Sequence, residues 1–226
     1  MWKIFDGEKL RATQACFSND KEEITNGISV INDICKNESE LNCFHNGITE
    51  ENIDSYIICF CKENDRLSQW RGYCKDDGVS LEFDFSKPFN KYYLADSDEQ
   101  VRKEIELYPV YYYNETYSVN PDNIKHKFMN KESLKNMIVK KVSGNHDSRT
   151  KKNALVSLVP FIKNSGFYEE AEYRWLINNT KEDVDYNLKF KYDDIVKYSE
   201  DDISKKPYIN IAFKKKKDTN NEDLEE

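Results

Sequence analysis

The sequence predicts an α+β fold in which one domain contains a mixed or antiparallel sheet and several packed helices. Helical and strand patterns both occur along the 226 residues, without the regular alternation of a parallel sheet with crossover helices. Hydrophobic residues make up only 38%, so the 15 Tyr and 12 Phe must supply much of the core. We therefore expect one domain over residues 1–213 and a charged, disordered tail over residues 214–226.

Composition also predicts the cellular location of the protein. No apolar run approaches the roughly 20 residues of a membrane span. Residues 1–10 lack the apolar core of a signal peptide. With a net charge of −8, the chain is expected to be soluble and cytoplasmic, without a membrane partner.

Six cysteines lie in the first third of the chain. The close pairs Cys59–Cys61 and Cys43–His45 have one intervening residue, whereas zinc knuckles usually have two to four. We therefore expect buried, reduced thiols and no metal.

The first third predicts a helix, a strand and a short helix. Asp20 and Glu23 have the spacing of a capping box, and the apolar residues from Ile24 to Cys35 keep helical spacing. Residues 56–61 form an apolar strand pattern, after which Asp65 can cap a short helix.

The middle of the chain predicts two further strands. Gly78 opens a strict alternation of apolar and polar residues through Phe85. Ser97 and Gln100 have capping-box spacing before another helical pattern, and residues 108–113 are rich in β-favouring residues.

A basic segment covers residues 125–152. It contains nine Lys or Arg and two acidic residues, a charge of +7, which leaves −15 on the rest of the chain. Two helical patterns begin here, and Pro160 interrupts the second. A solvated helix face is the simpler interpretation, and a surface for phosphate groups is the alternative. Beyond it, the sequence predicts strands at 172–177, 186–191 and 208–213.

The segment 167–177 contains the first candidate site. In a strand, alternate residues from Tyr173 to Ile177 face the core, and Glu170, Glu172 and Arg174 share the opposite face. Two carboxylates and a guanidinium suit glycosyl transfer, because one carboxylate can stabilise an oxocarbenium-like transition state while the other orients the acceptor. The simpler interpretation is a solvent-exposed row of charged pairs.

A second candidate site follows the strand at 56–61. Ser68, Gln69, Trp70 and Tyr73 can form a pocket wall in which an aromatic side chain stacks on a ring and Ser or Gln holds an amide. Trp70 can equally be a core anchor.

Three motifs in this order resemble those of the bacterial domain-of-unknown-function family 2971. The resemblance implies a bacterial or phage-related cytoplasmic protein, of a kind found among defence and mobile-element genes. It also marks Asn19 and Asp20 as candidate binding residues. The matching residues are Leu10–Thr13 with Asn19, Asp20 and Glu23; Cys59, Phe60, Asp65, Ser68–Trp70, Tyr73 and Gly78; and Phe167, Glu170, Glu172 and Arg174.

A more distant similarity is to the ADP-ribosyltransferase fold, whose enzymes cleave NAD and often carry a Glu-x-Glu motif on a late strand. That similarity implies that Glu172 binds the ribose hydroxyl next to nicotinamide and Glu170 orients the acceptor. NAD is then the co-substrate, and Trp70 or Tyr73 stacks on a ring.

Two alternatives remain open. One is a non-enzymatic module that binds protein or nucleic acid through residues 125–152, and the other is a metal-dependent nuclease that adds Glu82 and Asp84 to the two glutamates.

Overall fold

The computed structural model describes ten stretches of the chain, which together contain four α-helices and ten strands. The stretches are residues 9–18, 21–63, 66–73, 79–84, 93–94, 107–114, 128–144, 146–178, 196–199 and 205–212. The helices are α1 (Lys21–Asn37), α2 (Leu67–Tyr73), α3 (Lys131–Val142) and α4 (Ser148–Leu158). The strands are β1 (Lys9–Gln14), β2 (Ser55–Cys61), β3 (Tyr93–Leu94), β4 (Leu107–Pro109), β5 (Tyr111–Tyr113), β6 (Phe128–Met129), β7 (Ile162–Asn164), β8 (Glu172–Asn178), β9 (Lys197–Tyr198) and β10 (Pro207–Ala212).

The strands form two sheets. The larger has the order β3-β10-β1-β2-β8-β4, with β9 beside β10, and its strands pair antiparallel. The smaller has the order β6-β5-β7 and is parallel. Helices and a mainly antiparallel sheet in this arrangement confirm the predicted α+β class.

The two faces of the large sheet bury different side chains. One face packs residues such as Ile58, Trp175 and Ile177 into an apolar cluster with β1 and β10. On the other face, Ile57 and Leu176 pack into the larger core formed by α1, α3, α4 and the small sheet. Because β2 pairs with β8 and β8 with β4 in register, Cys59, Arg174 and Tyr108 form one row across this second face.

Helix α1 approaches its neighbour closely enough to need a glycine. It buries Ile24, Ile31 and Ile34 in the larger core. Gly27 lies against the 3₁₀ turn Val159–Phe161, where an added Cβ would stand 2.6 Å from the carbonyl oxygen of Val159. This contact brings the first turns of α1 next to that turn and β7.

Most predicted elements in these stretches are confirmed. They are the helix after residue 20, the strand at 56–61, the short helix after it, the two helices around residues 131–158 with a break at Pro160, and the strands at 172–177 and 208–213. The apolar stripe of α3 is also confirmed, since Leu134 and Ile138 are buried and Met137 packs against them.

The predicted strand from Gly78 to Phe85 is wrong, because residues 79–84 form no strand. Leu81 and Phe83 are half-buried while the polar residues between them are exposed, so the alternation is present without strand pairing. Phe83 packs edge-on against Phe60 at a centroid distance of 5.6 Å, and Val79 is 57% exposed.

The single strand predicted at 108–113 is also wrong, because the chain changes sheets at Val110. β4 pairs with β8 in the large sheet, whereas β5 lies between β6 and β7 in the small one. Pro109 has no N–H to continue a ladder, and the Val110 N–H donates to the carbonyl of Glu172 at 3.0 Å.

Several predictions concern residues outside the described stretches. These are the caps at Asp65 and Ser97–Gln100, the strand at 186–191 and the tail at 214–226. In the stretches that are described, none of the helices has the length and apolar character needed to cross a membrane.

Candidate functional site

Five charged residues from four elements meet under the large sheet and are called here the ionic cluster. Arg174 and Glu172 lie on β8, Lys163 on β7, Glu23 in the first turn of α1, and Glu170 at the end of the 3₁₀ turn Ser165–Glu170. Arg174 is 1% exposed, Lys163 5%, Glu172 7% and Glu23 8%, whereas Glu170 is half-buried. Glu170 is therefore the most accessible member.

The Arg174 guanidinium is bound on all sides. Its Nε donates to Glu172 Oε1 at 2.7 Å and one Nη donates to Glu172 Oε2 at 2.9 Å. The guanidinium also donates to the Glu23 carboxylate and to the carbonyl of Pro160. Bidentate pairing of this kind fixes both the position and the orientation of the Glu172 carboxylate.

Lys163 joins the three carboxylates. Its Nζ is 2.5 Å from Glu170 Oε2, 3.2 Å from Glu172 Oε2 and 3.5 Å from Glu23 Oε2. The same ammonium lies 5.1 Å from the centre of the Phe167 ring. The cluster thus has two cations and three carboxylates, one negative charge in excess when all are ionised.

The partners decide the protonation of Glu172. Burial alone would raise its pKa, but the charge and hydrogen bonds of Arg174 and the charge of Lys163 lower it to about 2. Burial also works against the charge on Lys163, yet the surrounding glutamates raise its pKa above the usual value. Burial raises the pKa of Glu23, against the opposing effect of the two cations. Glu172 is consequently an anion at neutral pH.

A tyrosine completes the support of Glu172. The buried Tyr112 hydroxyl accepts a hydrogen bond from the Glu172 N–H at 2.9 Å, and burial raises the pKa of this phenol to about 12. Tyr112 therefore stays neutral and holds the start of β8.

The same sheet face is open beside the cluster. Arg11 precedes Thr13 by two residues and Cys59 follows its partner Ile57 by two, so all four share this face, and Arg11 and Cys59 are exposed. The Arg11 guanidinium lies 4.0 Å from the centre of the Tyr208 ring. Although Cys59 is exposed, desolvation by the surrounding protein raises the pKa of its thiol. Arg11 and Cys59 thus mark an exposed part of the sheet face that also bears the ionic cluster.

The prediction of buried thiols is wrong for part of the set. Cys35 is buried, but Cys43, Cys59 and Cys61 are exposed, and Cys74 lies outside the described residues. Burial along β2 is continuous only from Ser55 to Ile58, and the exposed Cys59 and Cys61 lie beyond that point.

The predicted carboxylate pair is brought together, but by a different geometry. Glu172 and Arg174 share one face of β8 as expected, and their burial rules out the solvent-exposed row of charged pairs. Glu170 does not lie on the strand, since Ala171 has a φ of 45° and separates the 3₁₀ turn from β8. Lys163, rather than a shared strand face, links Glu170 to Glu172.

The second predicted constellation lies close by. Gln69 and Trp70 are half-buried on α2, which contacts the 3₁₀ turn that ends at Glu170. Arg66 just before α2 donates to the carbonyl of Glu169 at 2.5 Å, which fixes this approach. Asn19 and Asp20, and the side chains of Ser68 and Tyr73, lie outside what the structure describes.

Lys163, Tyr112 and the role of Glu23 were not predicted from the sequence. Glu23 was assigned to a helix cap, and its carboxylate contacts Arg174 and Lys163. The sequence contains one signal for Lys163: this single cation directly follows the apolar run Leu158–Ile162. A lysine in such a position needs a carboxylate partner.

The basic segment is partly neutralised by acidic residues on α1 and directly after it. On α3, Lys131 pairs with Asp33 and Lys135 pairs with Glu38 at 2.9 Å, whereas Lys140 and Lys141 are exposed. In the described stretches, no three His, Cys, Asp or Glu side chains are arranged to hold a metal ion. Glu82 and Asp84 of the nuclease alternative are exposed in the segment 79–84.

Together, the fold and the cluster define an α+β protein with a charged candidate site between a sheet and a helix. Residues 69–175 match the family described as "Protein of unknown function (DUF2971)", which confirms the resemblance found in the sequence. The match includes Lys163, Glu170, Glu172 and Arg174, whereas Arg11 and Glu23 precede it. No curated protein and no solved structure was found to match the chain.

Proposed function

We propose that this chain is a cytoplasmic bacterial or phage-related protein of the defence or toxin type. This type includes proteins that act in abortive infection. The site of this chain binds NAD or a related nucleotide and acts in the manner of an ADP-ribosyltransferase. The observation that carries the proposal is the fixed, ionised Glu172 carboxylate on the sheet face that also carries the exposed Arg11.

The chemistry requires an anion that does not change protonation state. When the bond between C1′ of the ribose and nicotinamide breaks, its electron pair leaves with neutral nicotinamide and positive charge develops on the ribose. Glu172 can oppose that charge and accept a hydrogen bond from a ribose hydroxyl, because its pKa of about 2 keeps it ionised. The same value makes Glu172 unsuitable as a general acid.

The acceptor then bonds to C1′ and loses a proton. Glu170 is the more exposed of the two carboxylates, so it can meet an acceptor that enters from solvent. Its Oε2 is held by Lys163 at 2.5 Å, which orients the carboxylate. We assign Glu170 the role of positioning the acceptor and of taking up its proton, directly or through water.

Arg11 can supply a charge for the diphosphate. Arg11 is exposed on the same sheet face as Glu172, and guanidinium groups pair with phosphate oxygens through two parallel hydrogen bonds. Stacking on the Tyr208 ring restricts the Arg11 side chain before any ligand binds. Trp70, half-buried on α2, remains the candidate for stacking on a ring of the nucleotide.

The first test is a thermal-shift titration with NAD. Wild-type protein should show a rising midpoint once NAD exceeds its dissociation constant, by the equivalent of about 2.7 kcal/mol at 100 times that constant. Arg11→Gln should reduce the shift, and Arg149→Gln on the exposed surface of α4 is the matched control. Absence of a shift in folded wild-type protein, or an equal shift in Arg11→Gln, would contradict the binding site.

Bond cleavage is tested separately from binding. Nicotinamide released from NAD is measured by chromatography for wild type, Glu170→Gln and Glu172→Gln, with a chosen acceptor or water. We expect Glu172→Gln to lose release while a folded Glu170→Gln protein still binds NAD. Binding without release in wild type would support a nucleotide-binding module and reject the transferase.

A second candidate function rests on the exposed Lys140 and Lys141 at the end of α3. Because Lys131 is paired with Asp33 and Lys135 with Glu38, Lys140 and Lys141 are the better candidates for contacting nucleic-acid phosphates. Affinity for a duplex should then fall steeply with salt, and the slope should decrease when both lysines are replaced by Gln. Salt-independent binding, or no binding, would exclude this function.

A further inference from the structure

A polar cleft lies between α1 and the ends of β5 and β7. It has a volume of about 580 Å³, within the range of small-molecule sites. The helix contributes Asn26, Ser29, Val30 and Asp33, which follow one another at helical spacing. One wall of the cleft is therefore a single, regular helix face.

The opposite wall is formed where two parallel strands end. Tyr113 and Asn114 stand at the carboxyl end of β5, and Asn164 and Ser165 at that of β7. Crevices outside the carboxyl ends of parallel strands are frequent binding positions. Asn114 Nδ2 donates to Ser165 Oγ at 3.0 Å, and Gly166 N–H donates to Asn164 Oδ1 at 2.8 Å, so this wall is ordered by its own hydrogen bonds.

The lining selects a neutral, hydroxyl-rich ligand. Among the described residues that line the cleft, none is Lys, Arg or His, so their side chains offer a phosphate no positive charge. The one charged residue among them, Asp33, is paired with Lys131 of α3. Amides and hydroxyls both donate and accept, as the vicinal hydroxyls of a sugar do, while Val30 and Tyr113 offer apolar contact to its C–H groups.

One side chain in the wall has an unmet hydrogen-bonding requirement. The amide nitrogen of Asn26 is buried and has no hydrogen-bond partner in the part of the chain that the structure describes. A buried donor without a partner is unfavourable, and rotation of the Asn26 side chain towards the cleft would let the amide donate to a ligand hydroxyl and remove this cost. Apolar replacement of Asn26 should for the same reason be tolerated by the fold.

We propose that this cleft is a binding site for a neutral monosaccharide or a single glycosyl unit. It is separate from the nucleotide site, because Lys163 and Asn164 are neighbours on β7 and their side chains point to opposite sides. The proposal therefore does not depend on NAD chemistry at Glu172.

Saturation-transfer difference NMR on the full chain tests the site with D-ribose, D-glucose and N-acetyl-D-glucosamine as probes. We expect transfer to at least one sugar in wild type, and loss of that transfer in Asn26→Leu and in Ser29→Leu, which fills the cleft from the exposed surface of α1. Asn136→Leu on the exposed face of α3 is the matched control and should bind as wild type does.

Two results would overturn the proposal: no transfer to any of the three sugars in wild type, or unchanged transfer in both cleft variants. Two variants are used because either one alone could disturb the helix. NAD titrations of the same variants should be unchanged, so failure of the nucleotide site and failure of this cleft give different patterns.

Discussion

The two sides of β8 are equally buried and are held together by opposite kinds of interaction. On one side, Trp175 and Ile177 pack against Tyr56, Ile58 and the apolar residues of β1 and β10. On the other, Glu172 and Arg174 contact Glu23 and Lys163 through charge-assisted hydrogen bonds. Strand alternation assigns residues to sides, but the chemistry on each side decides how the protein responds to change.

Substitutions on the two sides of β8 should therefore lower the stability of the fold to different extents. Apolar contacts are many and individually small, so loss of one methylene removes only its own share. Buried charges have given up their hydration, so removal of one partner leaves the others without compensation. The ionic side is expected to be the more sensitive to single substitutions and to pH.

Arg174→Met should produce the largest effect. It retains side-chain volume but leaves Glu172 and Glu23 with Lys163 as their remaining cation, which we expect to cost about 3–5 kcal/mol of unfolding free energy. Urea denaturation measures the change. Arg11→Met makes the same substitution at an exposed position of the same sheet face, and loss of its ring contact should cost less than about 1 kcal/mol. Equal costs at the two positions would remove the contrast between the ionic cluster and the surface.

Glu172→Gln should show a pH-dependent effect. The folded-state pKa of Glu172 is about 2 against an ordinary value of 4.5, so its ionisation stabilises the folded state by about 3 kcal/mol above pH 4.5. This contribution is lost as the pH falls towards 2. Glu23 has the opposite sign, because its pKa is raised, and its contribution is lost as the pH rises.

Urea denaturation of wild type and Glu172→Gln at pH 7 and pH 3 measures this dependence. The stability difference between the two proteins should shrink by half or more at pH 3. A difference that is constant across this range would mean that Glu172 is not held as an anion by its partners.

Local patterns predicted the framework, whereas the cluster depends on distant parts of the chain. Helix α1 and strand β8 follow from spacing within single segments. Glu23 and Arg174 are separated by 151 positions, and no spacing rule connects them. The Glu-x-Glu pattern identified two of the carboxylates, but the left-handed backbone at Ala171 could not be read from an alanine, since non-glycine residues adopt it rarely.

Strand predictions failed where tertiary contacts decide. Residues 79–84 alternate apolar and polar residues as a strand does. Leu81 and Phe83 are more buried than the polar residues, but the segment forms no strand. Val110 lies within a uniformly β-favouring segment, and the switch between sheets depends on pairing with β8, over 60 residues later. These choices are made by partners that a local pattern does not contain.

Gly27→Ala tests how closely α1 must approach the ionic cluster. Alanine usually stabilises a helix interior relative to glycine, but here its Cβ would stand 2.6 Å from the Val159 carbonyl oxygen. We expect a cost of about 1–3 kcal/mol, since backbone must move to relieve the overlap and Glu23 shifts with the helix. Gly72→Ala on α2 is the control, because its Cβ would meet no atom within 4 Å and should be neutral or stabilising. A stabilising Gly27→Ala, measured by thermal unfolding, would show that the helix can move away freely.

Ile177→Val should have the smallest effect and completes the comparison on the apolar side of the same strand. Removing one methylene from a side chain that is 3% exposed is expected to cost about 0.5–1.5 kcal/mol. The loss should be the same at pH 7 and pH 3, because none of its neighbours in the apolar cluster is a carboxylate or a histidine. Measured beside Glu172→Gln in the same urea titrations, this variant separates a pH effect that belongs to the ionic side from a general weakening of the fold in acid. A loss for Ile177→Val that changed with pH as much as that of Glu172→Gln would mean that the two sides of β8 respond as one unit.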